Sequence, residues 1–175
     1  MPFAKSLMLM VLLAGVATAQ NQPSAAAAAK PEDVASIESV VKALYAVISG
    51  PAGTRDWDRF RSLFIADARL MPTGMAPDGS ARFRSLTPEG YIERTAPLFA
   101  KEGFYESEKA RRVERFGNIA HVFSTYEARR APDAQPFMRG LNSIQLFNDG
   151  KRWWIVSVLW DPERPDNPIP EQYLK

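Results

Sequence analysis

The chain holds no cysteine and a single histidine, His121, so thiol nucleophiles, disulfides and lipid attachment at a processed N-terminal cysteine are excluded. His121 is the first residue to weigh for proton transfer. Gly117-Asn118 is a two-residue turn signal between the runs Phe104 to Phe116 and Ile119 to Arg130, and a turn there sets His121 opposite Glu114. A carboxylate neighbour favours the imidazolium and orients the ring, which is how a general acid or base pair is often built. The same pairing sets Thr125 against Ala110, Glu127 against Glu108 and Arg129 against Glu106, a polar face that reads as solvated. His121 is thus either a catalytic residue or a surface or interface histidine. Asp67 can fix the turn between a helix and a strand. One histidine and scattered carboxylates do not indicate a metal site, and no glycine-rich phosphate loop or nucleophile elbow is present. No cofactor is expected.

A second set of candidates comes from residues 138–160, MRGLNSIQLFNDGKRWWIVSVLW, which hold three of the four tryptophans. Asp149-Gly150 between apolar runs predicts a hairpin with a two-residue type I′ turn. Leu146 then faces Trp153, Ile144 faces Ile155, Asn142 faces Ser157 and Gly140 faces Leu159. That side of the hairpin is apolar apart from Gly140, Asn142 and Ser157. Buried polar side chains need partners, so Asn142 and Ser157 either satisfy each other and the backbone or point at a ligand. Gly140 lets another group approach the backbone or marks a bend. Trp154 and Trp160 fall on the opposite face.

These residues need a scaffold. Pro31, Glu32 and Asp33 open a helix whose apolar residues Val34, Ile37, Val41, Leu44 and Ile48 recur at helical spacing, and Gly50-Pro51 closes it. A second helix at about 56–64 puts Trp57, Phe60 and Phe64 on one face. Short strands at 67–72 and 81–86 flank the turn cluster Pro77-Asp78-Gly79, and Thr87-Pro88-Glu89 caps a third helix that ends at Gly103. The two long hairpins follow. The proline-rich tail, 161–175, is barred from helix and central strand, and Ile169, Tyr173 and Leu174 are expected to anchor it across the domain surface.

Ahead of the domain, residues 1–19 have the features of a secretory signal: Lys5, the apolar run Leu7 to Ala17, and Ala17-Thr18-Ala19 before Gln20. Residues 20–32 read as a linker. A periplasmic or secreted protein is expected, with no membrane attachment once the signal is removed. The 22 basic and 20 acidic residues are scattered, so no nucleic-acid footprint is indicated.

The order helix, helix, strand pair, helix, long meander, with FIADARL after the second helix and GKRWWIVSV as the final strand, resembles the nuclear transport factor 2-like superfamily over residues 33–160. The resemblance implies an α+β, cystatin-like cone with three helices packed on a strongly curved, mainly antiparallel sheet. It further implies a deep, mostly apolar pocket holding a small apolar or amphipathic molecule, with Trp57 joining Gly140, Asn142 and Ser157 as ligand contacts. Ketosteroid-isomerase-like and polyketide-cyclase-like relatives imply an alternative in which an isomerase, cyclase or dehydratase uses His121, Tyr45 or Asp67. Two departures stand out. Such isomerases carry an acidic base before the proline of the first strand, where this chain has Met71 before Pro72, and a protonated acid where it has Asn142-Ser143. Members often pair through the outer sheet face, which implies a homodimer; a protein-interaction module is a third reading.

Overall fold

The computed structural model describes residues 28–175; the expected signal sequence and most of the linker lie outside the described residues. Among the described residues no helix is long and apolar enough to cross a membrane. The expected first helix is two: a single turn, α1 (Pro31–Val34), and α2 (Ile37–Ile48). Ser36 ends one and caps the other, its hydroxyl accepting from the Ser39 amide while the Ser39 hydroxyl accepts from the Ser36 amide. The apolar side of α2 buries Val40, Val41, Leu44, Val47 and Ile48. Then come α3 (Trp57–Ser62), capped by Asp56, β1 (Phe64–Met75), β2 (Ala81–Phe83), and α4 (Pro88–Phe99), capped by Thr87. Four long strands finish the domain: β3 (Tyr105–Phe116), β4 (Ile119–Arg129), β5 (Met138–Asn148) and β6 (Trp153–Pro162).

The sheet runs β2-β1-β6-β5-β4-β3, antiparallel except where β1 lies parallel to β6. Helices cover one face, so the domain is an α+β fold with its core between them and the concave side of the sheet.

Two bulges decide which side chains reach that side. The first lies in the β5–β6 hairpin, whose loop is four residues rather than two. Asp149 accepts from the amides of Lys151 and Arg152 and from the Trp154 indole at 2.8, 2.9 and 2.8 Å, which holds the chain in a wider turn. Asn148 therefore pairs with Trp153 and Leu146 with Ile155; the register then shifts, leaving Val156 unpaired, and Ile144 meets Val158 while Asn142 meets Trp160. The expected meeting of Asn142 and Ser157 does not occur: Ser157 pairs with Gln145 on the convex side, and Trp160 turns inward. The second bulge is at Lys109 in β3. Beyond the Gly117-Asn118 turn, where Gly117 takes φ +54°, Glu114 pairs with His121 and Ala110 with Thr125 as anticipated. Past Lys109, Glu108 meets Tyr126 and Glu106 meets Ala128, so both carboxylates point into the concave side instead of toward solvent.

The tail crosses the convex face. Tyr173 packs its ring on Phe123 at 4.8 Å between centroids and takes a hydrogen bond on its carbonyl from the Thr125 hydroxyl.

Candidate functional site

The concave side encloses a cavity walled by Leu44, Ile48, Phe60, Leu70 and Val158. With its mouth it holds about 490 Å³ of atom-free space, and the centre of a water-sized sphere can move through about 70 Å³ of it. That is several times the roughly 10–15 Å³ one water needs. The polar residues that line this space are Tyr91 of α4, Glu106 of β3, Tyr126 of β4 and Asn142 of β5, with Met138 and Trp160 beside them.

Glu106 is the unusual one. It is enclosed by protein yet retains surface on the cavity, and burial lifts its carboxyl to about 8, with the Asn142 amide pulling the other way. No cation pairs with it among the described residues. At neutral pH it is a protonated acid and can donate a hydrogen bond. The same burial, reinforced by the nearby Glu106, drives the phenols of Tyr91 and Tyr126 above their ordinary range, so they too stay protonated. The Tyr126 Oη is buried with no hydrogen-bond partner.

Gly140 explains how that hydroxyl fits. It sits directly across from Tyr126 in the β4–β5 ladder, and a Cβ there would lie 2.5 Å from Tyr126 Oη and 2.7 Å from the Asp161 carbonyl. The group approaching Gly140 is therefore the Tyr126 ring.

Behind the cavity runs a hydrogen-bond chain with a fixed direction. Ser124 gives its only proton to Glu108 at 2.5 Å, so the Tyr45 hydroxyl donates to Ser124 at 2.7 Å, and Asn142 Nδ2 donates to Tyr45 at 2.9 Å. Glu108 is held by Arg111. Tyr45 thus has both sides of its hydroxyl engaged and fixes the Asn142 amide from behind; it does not face the cavity.

The remaining sequence candidates lie elsewhere. His121 is on the convex face, its Nε2 2.8 Å from the Ser143 hydroxyl and its ring 4.2 Å from that of Phe123, while Arg112 engages Glu114. Asp67 is exposed in the irregular stretch of β1 between Phe64 and Arg69. Trp57 packs between Phe60 and Phe99, at 5.7 and 6.2 Å, outside the cavity wall. Of the residues singled out from sequence, Asn142 lines the cavity, and Gly140 and Tyr45 shape it. Glu106, Tyr91 and Tyr126 were missed as site residues. Among the described residues no three acidic or histidine side chains gather where a metal ion could sit.

No protein-family model matches the sequence, and no curated protein is similar to it. Solved structures are. A protein of unknown function with a cystatin-like fold from Nostoc punctiforme superposes with a TM-score of 0.57 at 9% identity, over 74% of this chain and 90% of that one. A protein of unknown function from Mycobacterium tuberculosis gives 0.57 at 14% identity, over 77% and 75%. A nuclear transport factor 2-like protein of unknown function from Shewanella baltica gives 0.47 at 14% identity, over 73% and 91%. At such identities the likeness reaches the fold alone, and the chain has a cystatin-like fold.

Proposed function

We propose that the cone binds a small, largely apolar molecule that carries a hydrogen-bond acceptor such as a carbonyl. The observation that supports this is the convergence of donors on an apolar cavity: protonated Glu106, the Tyr91 hydroxyl and the Asn142 amide. Buried donors are costly to leave unpaired, so an oxygen atom of a ligand is their natural complement. Isothermal titration with small apolar ketones tests it. Tyr91→Phe and Asn142→Leu should each weaken binding by about five- to thirtyfold, the worth of one buried hydrogen bond; unchanged affinity in both variants would sink the reading. Native mass spectrometry of protein from its own host should reveal a retained molecule.

A second reading, an isomerase, cyclase or dehydratase, is favoured by one observation: a cavity carboxyl lifted to about 8 is poised to give or take a proton near neutral pH. Glu106, rather than His121 or Asp67, would then move the proton, with Asn142 and Tyr45 positioning the substrate side. In both readings we place the domain outside the cytoplasm after loss of residues 1–19.

The convex face carries a row of apolar side chains aligned across the strands, Phe116, Ile119, Phe147 and Trp154. Phe116 is 85% and Ile119 60% exposed, and the tail covers a different part of the face. This row is the proposed homodimer contact.

A further inference from the structure

Arginines in this chain are almost all engaged. Arg59, Arg61, Arg111, Arg112, Arg129, Arg130, Arg139 and Arg164 form ion pairs. Arg55 donates to four backbone carbonyls, Arg69 to two, and Arg115 and Arg152 lie over tryptophan rings. Among the described residues three are left with no ion pair, side-chain hydrogen bond or ring contact: Arg82, Arg84 and Arg94. All three line one groove.

The register shows that the groove continues the cavity. Leu70 bridges to Leu86, and Gly74 pairs with Arg82; the step of two between them sets Arg84 against Pro72. These residues share the concave side of β1 and β2 with Leu70, a cavity wall. On the neighbouring strand the same side carries Val158 and Trp160, which line the cavity, and then Pro162, which lines the groove. From above, α4 supplies Tyr91 to the cavity and, one turn on, Arg94 to the groove. Gly74 lies roughly 13 Å along β1 from Leu70, at about 3.3 Å per residue. No carboxylate lines the groove among the described residues, and Asp161, next to Pro162, is taken by Arg164 at 2.7 Å.

We infer that the ligand is an elongated, apolar molecule with an oxyanion at its outer end, a carboxylate or a phosphate monoester, held by Arg82, Arg84 and Arg94 while the apolar body passes Trp160 into the cone. This rests on the cavity-binding reading above and adds the class of ligand. Guanidinium groups pair with both head groups through two parallel N–H bonds, and their lack of protein partners leaves those donors available.

The probes are decanoic acid bearing a methyl ketone at its far end, its methyl ester, and the corresponding keto-alkyl phosphate, titrated against the full chain. The acid or the phosphate should bind about tenfold tighter than the ester, the sum of three exposed charge contacts, and the advantage should shrink as salt is raised. Whichever anion is preferred names the head group. Combined Arg82→Ala, Arg84→Ala and Arg94→Ala should erase the advantage without changing ester affinity; the three side chains are exposed, and an unchanged urea midpoint verifies the fold. An ester that binds as tightly as both anions, or a triple variant that still prefers them, overturns the inference and leaves the cavity reading standing. Failure of all three probes to bind overturns both.

Discussion

Replacing Glu106 by glutamine should remove a pH dependence of stability that the wild-type chain carries. The folded chain keeps the Glu106 proton until about pH 8, whereas the ordinary value for the side chain is 4.5. Between those values the native state binds one proton more than the unfolded chain, so stability falls as pH rises. The slope is about 1.4 kcal/mol per pH unit, or about 5 kcal/mol across the window, less where cavity water solvates the carboxylate. Below the window both states are protonated and the contribution is fully present; above it the native chain must hold a buried carboxylate or open to hydrate it. Glutamine keeps the shape and the donor and has no proton to lose. Urea unfolding of both proteins at pH 5, 6, 7 and 8 checks this, with the difference between them cancelling every group the two share. The glutamine variant should gain on the wild type steadily and be more stable by several kcal/mol at the upper end, on the order of 3–5 kcal/mol. A difference that stays flat from pH 5 to pH 8 would refute the assignment of a protonated Glu106, and with it both the donor set and the proton-transfer reading.

Further tests address the scaffold. Gly140→Ala should cost about 1–3 kcal/mol in thermal unfolding, because its Cβ collides with the Tyr126 hydroxyl and the Asp161 carbonyl. Tyr45→Phe should cost about 1–2 kcal/mol and weaken ligand binding indirectly, since it removes the acceptor that fixes the Asn142 amide; unchanged ketone affinity would separate Tyr45 from the site. His121→Asn should leave ketone binding within about twofold, the convex position being remote from the cavity. Sedimentation should find a dimer that Phe147→Glu shifts toward monomer; a wild-type monomer would rule out the convex-face contact.

What was legible from the residues was local. Helix openings at Asp56 and Thr87, the two-residue turn at Gly117-Asn118 and the pairing of His121 with Glu114 follow from short-range rules, because capping hydroxyls and a positive-φ glycine act within a few residues. Which acids and tryptophans share the cavity was decided by two inserted residues, Val156 and Lys109, each of which turns the rest of its strand over. The β3 sequence carries no apolar alternation to announce this: without a bulge Lys109 would oppose Tyr126, with it Glu108 does, and both are charged. The preference arises from the whole sheet, whose curvature around α2 and α4 favours a bulge and whose interior accepts a protonated glutamate among phenols but would leave a lysine without an anion. Composition and spacing thus set the cone and its hairpins, while long-range packing chose Glu106, Tyr91, Tyr126 and Trp160 as residues that line the cavity.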